Sequence, residues 1–377
     1  MNIALLLPGF SSSEADWCIP AVLNLVRGLT RSNEVHVFAL RYPYRRCTYE
    51  VYGATVHALG GARRRHFGRL ALLGQALRAL LREHRHAPFD VLHGLWADEA
   101  GFLAATAGRL LGVPSVVSVM GGELVGFADI GYGSLLSPIN RRLVHSALGK
   151  AGAVTVGSSY LHGLAGPHVP PHRLHRLPLG VDTTLFQPQP DPGDSSPLAG
   201  GKTKLLHVAS LVPVKNQAML LSVLSKVAGE LPEAHLHLVG EGPLRAELET
   251  QAAACGVGRR ATFHGSVPHD RLPAYFRAAD LCVLTSRHEG QELVTLEAAA
   301  CGRTTVGTAV GLVPDLVPAT RAVPVGDAPG LSEAIIHLLQ RPRRLAEMGC
   351  AARGRVEKDY SLKVTVNRLQ ALYAETR

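Results

Sequence analysis

The sequence predicts an α/β protein with two doubly wound parallel-sheet domains facing each other across a cleft. Three observations predict it. Short apolar runs alternate with helix-length segments along the chain, the rhythm of repeated β-α-β units. The runs lack strict alternation, as strands buried on both faces do. The rhythm breaks once, at the Pro-, Gly- and Ser-rich stretch 187–204, and then restarts.

In the first half, strands are expected at 2–8, 34–40, 54–59, 90–95, 114–120 and 153–158. Between them lie helical patterns such as IPAVLNLVRGLTR and FGRLALLGQALRALLREH. The stretch 187–204 reads as an exposed loop at a domain boundary. Further strands are expected at 204–210, 234–240, 261–267, 281–286, 304–310 and 322–326, with helices between them. The segment SLKVTVNRLQALYAE has apolar residues at helical spacing and reads as a closing helix. The domains are placed at 1–180, completed by the helix at 360–377, and at 181–359.

The chain has 377 residues, 46% of them hydrophobic and 18% charged, which suits globular domains with substantial cores. No apolar run reaches the ~18 residues that a membrane span needs. The start carries no basic region ahead of its apolar run and reads as a first strand. Six scattered cysteines form no CxxC pair, so neither a zinc site nor a disulfide framework is indicated from them, and a reducing, cytoplasmic setting is expected. The net charge of +9 favours anionic partners, with maxima at 41–46 and 63–69. Those runs read equally as solvated arginine faces. No aromatic-interleaved basic motif is present, so nucleic acid is not an expected partner. The segment 63–86, basic at both ends, reads either as a core-packed helix or as one lying on an anionic membrane surface.

Ligands of doubly wound sheets sit at the carboxyl ends of the strands. One such place is HEGQELVTLEAAACG, residues 288–302. The loop should lead into a helix beginning near Leu293 and closed by Gly302. Its free amides and positive dipole end suit a phosphate. Gly290 lets backbone approach a ligand. Glu297 in the early turns has the reach for a ribose diol, and Glu289 for a sugar hydroxyl. The bland reading is a dipole-complementing Glu297 and a solvated Glu289. Lys215 is expected at the start of the helix that begins near Asn216. A cation there opposes the dipole unless an anion is shared with the amides.

In order along the chain, PLGVDTTLFQP (178–188), LHVASLVPVKNQ, LVGEGPLR (238–245), TFHGSV (262–267), YFRAADLCVLTS (275–286), the 288–302 segment and DYSLKVTVNRLQALY (359–373) resemble the motifs of glycosyltransferase family 4. These are retaining enzymes of the GT-B fold, with two Rossmann-like domains. The resemblance is strong from about 153 onward and loose before that. It implies a nucleotide-diphosphate sugar as donor, UDP- or GDP-linked, and a sugar or lipid-linked acceptor. No cofactor and no metal are implied, and the membrane contact would be peripheral. Lys215 then resembles the diphosphate-binding lysine and Glu289 the glutamate that contacts the donor sugar. Leu293 and Val294 would offer amides to the diphosphate, and Glu297 would hold the ribose. Gly265 and Ser266 occupy a loop expected near the base.

The departures are specific. Ser210 stands where the family often has an arginine, which removes a bidentate phosphate contact. Gln291 and Glu292 replace a phenylalanine–glycine pair, and Glu292 is unfavourable beside a diphosphate unless it turns toward sugar hydroxyls. Met120 stands where a histidine usually contacts the donor sugar. Nearby candidates are His93, at the expected strand end beside Trp96 and Asp98, and Glu123 after Gly121 and Gly122. Gly9 and Phe10 open the first loop, which should border acceptor or diphosphate. His93, Lys215 and Glu289 are the catalytic candidates. The reading is a retaining hexosyltransferase. The alternatives are a nucleotide-sugar-binding protein without transferase activity and a GT-B nucleotide-sugar epimerase.

Overall fold

The computed structural model describes residues 1–61, 67–189 and 196–377. The chain divides into two compact units, Met1–Gly180 with Leu362–Arg377, and Val181–Ser361.

The first unit begins with β1 (Asn2–Gly9), in which Ile3 to Leu7 are fully buried. It continues through α1 (Pro20–Leu29), β2 (Glu34–Tyr42), β3 (Arg46–Val51), β4 (Ala54–Leu59) and α2 (Phe67–His86). Then come β5 (Val91–Leu95), α3 (Glu99–Leu111), β6 (Ser115–Val119), α4 (Pro138–Lys150), β7 (Ala153–Val156), α5 (Ser159–Ala165) and β8 (Leu174–Arg176). The strands lie in the order β3-β4-β2-β1-β5-β6-β7-β8. All neighbours are parallel except β3 and β4.

Helix α1 starts on Pro20, whose fixed φ suits a first helical turn, and buries Val22, Leu23, Leu25, Val26 and Leu29. Helix α2 lays Leu72, Ala76 and Leu80 into a core with Phe38, Leu40 and Leu92, so that face is core-packed. The basic run 63–69 lies outside the described residues up to 66. Strand β3 was not expected from sequence. It is an edge strand whose mixed exposure hides the apolar signal, joined to β4 by Tyr52 and Gly53 at φ 48° and 77°.

The second unit comprises β9 (Thr203–Val208), α6 (Gln217–Glu230), β10 (Ala234–Val239), α7 (Arg245–Ala254), β11 (Ala261–Gly265), α8 (Leu272–Ala278) and β12 (Leu281–Leu284). It continues with α9 (Leu293–Ala300), β13 (Thr305–Thr308), β14 (Arg321–Val323), α10 (Ala328–Leu339) and α11 (Pro342–Asp359). Its sheet is parallel throughout, in the order β11-β10-β9-β12-β13-β14. The order reverses between β9 and β12, which makes their carboxyl ends the topological switch point.

The expected strands here overrun the observed ends by one to three residues. The excess residues form the loops at the carboxyl edge. The stretch 187–204 does not separate the units: they part at Gly180 and Val181, and Phe186 just before it and Leu198 within it join the second core. Residues 190–195 lie outside the described residues.

The chain then returns to the first unit as α12 (Leu362–Glu375). Thr365 Oγ1 donates to the Pro178 carbonyl at 3.0 Å, and Tyr373 is fully buried. Among the described residues no helix is long and apolar enough to cross a membrane. All six cysteines are free.

Candidate functional site

At the switch point of the second unit, the loops after β9 and β12 are stitched together. Thr285 Oγ1 donates to the Lys215 carbonyl at 2.9 Å, and the Arg287 amide to the Val214 carbonyl at 2.8 Å. Lys215 closes the short turn Pro213–Lys215, and Asn216 at φ 52° separates it from α6. Two groups that sequence reasoning missed hold this loop from below. Fully buried His207 places Nδ1 2.8 Å from the Val283 carbonyl. Gln217 Nε2 lies 3.3 Å from His207 Nε2 and donates to the Ser210 carbonyl at 2.9 Å. Burial holds His207 neutral, its pKa down to about 4. The Ser210 side chain is exposed.

The Lys215 ammonium reaches Glu289 Oε1 at 2.5 Å, and Ser286 Oγ donates to the same oxygen at 2.5 Å. The solvated Glu289 of the bland reading is therefore corrected: this carboxylate is buried and paired. The half-buried Lys215 ammonium gives the buried Glu289 carboxylate the partner it would otherwise lack.

Glu292 turns inward. Its carboxylate accepts from the Leu312 amide at 2.9 Å and from Thr295 Oγ1 at 3.0 Å. Burial, with the Glu289 charge beside it, pushes its pKa up to about 8. Room for this carboxylate comes from Gly311 at φ 57°, where an added Cβ would fall 1.6 Å from Glu292 Oε2. Nothing in the spacing of the sequence flagged Gly311.

Helix α9 begins at Leu293, as the sequence predicts, with Val294 next and no side chain capping its first amides. It ends in a Schellman motif: the Gly302 amide donates to Ala299 and the Arg303 amide to Ala298, with Gly302 at φ 71°. Glu297 is buried, and its Oε1 lies 2.8 Å from His269 Nε2. His269 sits in a short turn beyond β11 and was not foreseen. Gly290 is buried and Gln291 half-buried in the same loop as Glu289. Gly265 ends β11 at φ 76°, its carbonyl accepting from the Gly240 amide at 2.8 Å, and Ser266 beyond it is exposed.

In the first unit the structure buries three of the expected site residues. His93 does not end its strand. It sits in the middle of β5, fully buried, with Nδ1 2.6 Å from the Tyr373 hydroxyl and Nε2 2.7 Å from Ser118 Oγ. Both ring nitrogens are engaged, and burial lowers its pKa to about 3, which holds the ring neutral. Phe10 does not line a loop surface, because the apolar run of β1 carries it into the core. Gly9 is required by Tyr42, whose Cβ would stand 2.8 Å from a Cβ at position 9.

Glu123 is the third. Its carboxylate faces backbone, accepting from the amides of Ala97 at 3.1 Å, Met120 at 2.8 Å and Gly121 at 2.6 Å. It thereby clamps the loops after β5 and β6 together. Burial raises its pKa to about 6 against the lowering effect of those amides. Trp96 is held at φ 73° in one of these loops, and a Cβ at Gly122 would strike the Tyr132 ring at 2.9 Å. Asp98 precedes α3, and burial raises its pKa, with Glu99 adding to the effect. Arg41 and Arg69 converge on Glu99 at 2.7 and 2.5 Å, so each basic run spends one arginine on an internal carboxylate.

Comparison with known proteins follows the same division. Residues 202–341 match the family described as Glycosyl transferases group 1, and residues 19–180 match the Glycosyl transferase 4-like domain. The GDP-mannose-dependent alpha-(1-6)-phosphatidylinositol monomannoside mannosyltransferase of Mycolicibacterium smegmatis is 31% identical over 275 residues, 69% of this chain and 70% of the relative. A GDP-mannose-dependent monoacylated alpha-(1-6)-phosphatidylinositol monomannoside mannosyltransferase of Corynebacterium glutamicum is 30% identical over 298 residues, 74% of this chain and 75% of the relative. Among solved structures, sucrose-phosphate synthase from Thermosynechococcus elongatus superposes with a TM-score of 0.80 at 20% identity, covering 100% of this chain and 99% of that one. HepE of Anabaena in complex with UDP-glucose gives 0.76 at 18% identity, with both chains fully covered.

Proposed function

The chain belongs to the group 1 glycosyl transferases of family 4 type and has the GT-B fold, and on that footing we propose that it is a retaining hexosyltransferase using a nucleotide-diphosphate sugar. The observation that carries the reading is the placement of Lys215, Glu289 and the open amides of α9 at one switch point. In this proposal the second unit binds the donor. The diphosphate lies on the amides of Leu293 and Val294 with Lys215, and Glu297, oriented by His269, holds the ribose. Glu289 exchanges its ion pair for a sugar hydroxyl.

As the bond from the anomeric carbon to the diphosphate oxygen breaks, charge grows on that oxygen. Lys215 and the amides stabilise it more in the transition state than in the ground state. The acceptor hydroxyl attacks from the face the diphosphate leaves, and its proton passes to the departing diphosphate oxygen. No metal enters this scheme. The first unit receives the acceptor on the loops that Glu123 clamps, with Trp96 and Asp98 at their edge. The relatives' names put GDP-mannose first among donors to test, UDP-sugars second, and inositol-lipid mannosides first among acceptors. A lipid-linked acceptor would bring the protein to a membrane surface without a spanning helix.

The test is calorimetric titration with GDP, GDP-mannose, UDP and UDP-sugars, for wild type, Lys215→Ala and Glu297→Ala. One donor should bind, and Lys215→Ala should weaken it roughly 10–100-fold, as expected for a lost charged hydrogen bond. Product with the donor's anomeric configuration, formed in the presence of a chelator, supports retention without metal. Binding without turnover on any acceptor favours the alternative of a nucleotide-sugar-binding protein. No binding by any donor overturns the proposal.

A further inference from the structure

We propose that His36, His57 and Glu83 form a site for a zinc-like divalent metal that ties α2 to the edge of the first unit's sheet. The three side chains come from β2, β4 and α2, and one ligand atom from each lies within 4.8 Å of the others. They are the only such cluster of histidine, cysteine and carboxylate ligands among the described residues. None of them belongs to the donor site.

The spacing of the two imidazoles suits one ion, with the carboxylate within reach of it. His36 Nδ1 lies 3.1 Å from His57 Nε2. Two imidazole nitrogens on a tetrahedral zinc, each at about 2.0–2.1 Å, stand roughly 3.3–3.4 Å apart. Closing that difference needs a shift of only a few tenths of an ångström. The other nitrogen of His36 faces Glu34 Oε1 at 3.5 Å. A proton held on that side leaves Nδ1 as a lone pair, the carboxylate–histidine arrangement that orients metal-bound imidazoles. Glu83 is oriented in the same way. Arg82 donates to its Oε1 through Nε at 3.0 Å and a terminal nitrogen at 2.7 Å. Both of these bonds go to one oxygen of the carboxylate.

The surroundings separate a dry side from a wet one. Phe38 stacks on His57 with centroids 4.7 Å apart, and Phe89 meets His36 edge-on at 5.4 Å. On the other side a pocket of about 590 Å³ reaches His57, lined also by Arg46, Thr48, Gln75, Arg78 and Arg82. It gives an ion a path in and leaves a fourth coordination position to water or a small anion. The guanidinium groups favour an anionic fourth ligand such as hydroxide. Two imidazoles, one carboxylate and an exchangeable position suit zinc, cobalt or nickel, not magnesium or calcium.

The test is spectroscopic titration of the chelator-treated full chain with Co²⁺, followed by displacement with Zn²⁺. One equivalent of Co²⁺ should give the visible absorption of a low-symmetry four-coordinate site, and Zn²⁺ should abolish it and raise the Tm. His57→Gln and Glu83→Gln should each weaken binding by more than the ~10–100-fold that loss of an outer-shell partner costs. His235→Gln, in the other unit, should leave it unchanged. Glu83→Gln, half-buried and of the same shape, preserves a folded control if His57→Gln does not fold. Wild type without stoichiometric Co²⁺ binding, or binding unchanged in Glu83→Gln, overturns the proposal and leaves the two histidines sharing a proton only.

Discussion

Replacing Glu292 with glutamine isolates the electrostatic cost of a buried carboxylate at the proposed donor site. In the folded chain this group holds its proton to about pH 8, against 4.5 for an ordinary glutamate. Below about pH 4.5 it is neutral in both folded and unfolded states and contributes no pH dependence. Between the two values the unfolded chain ionises and the folded one does not. The folded state then binds more protons, so stability falls as pH rises. The slope approaches about 1.4 kcal/mol per pH unit, and the loss would total about 5 kcal/mol above pH 8. Part of the rise comes from the Glu289 charge, which Lys215 screens, so a loss of about 2–4 kcal/mol is the working figure. Glutamine matches the protonated carboxyl in shape and in its acceptor for the Leu312 amide, and it does not titrate. The assay is the urea midpoint by circular dichroism at about pH 5.5, 7 and 8.5 and fixed ionic strength, converted to free energy with the measured slope. Glu292→Gln should match wild type at the acid end and exceed it progressively toward the alkaline end. Parallel pH profiles would refute the reasoning, because they would mean that Glu292 ionises in the fold without penalty.

Three further outcomes follow from the geometry. Gly311→Ala should destabilise by more than the ~1–2 kcal/mol of a left-handed backbone alone, because its Cβ collides with Glu292, as denaturant unfolding would show. Glu123→Ala leaves three amides without their acceptor and should cost ~2–4 kcal/mol, with hydrogen exchange accelerated at Ala97, Met120 and Gly121. His93→Ala should lower the Tm by removing the partner of Tyr373 and Ser118 while leaving kcat within about threefold, whereas a loss of kcat at unchanged Tm would restore His93 as a catalytic candidate.

The parts legible in the sequence are those written in local periodicity. Buried parallel strands are continuous apolar runs, so β1, β4, β5 and β12 stand out, and the end of α9 is spelled by Gly302. Strand β3 was hidden because an edge strand is only partly buried and its polar residues cancel the signal. The site was legible where its residues lie within one loop and helix. Its supports were not, because His269, Gln217 and Gly311 reach Glu297, Ser210 and Glu292 through space. His93 misled for a related reason. A polar residue late in an apolar run looks like a strand end, and only the fold reveals Tyr373 and Ser118 waiting on either side of it.

The return of α12 to the first unit sets an order of events during synthesis. Residues 1–180 emerge first, yet the cavity around His93 stays open until Tyr373 has left the ribosome. Val366 also has to arrive before the bare backbone face of Gly28 in α1 is covered. The segment from Val181 to Ser361 carries its own sheet and core and can close while the earlier-made unit still lacks its final wall. The part translated first is therefore the part finished last, and nascent chains stalled before α12 should expose the apolar surface of the first unit to chaperones and proteases.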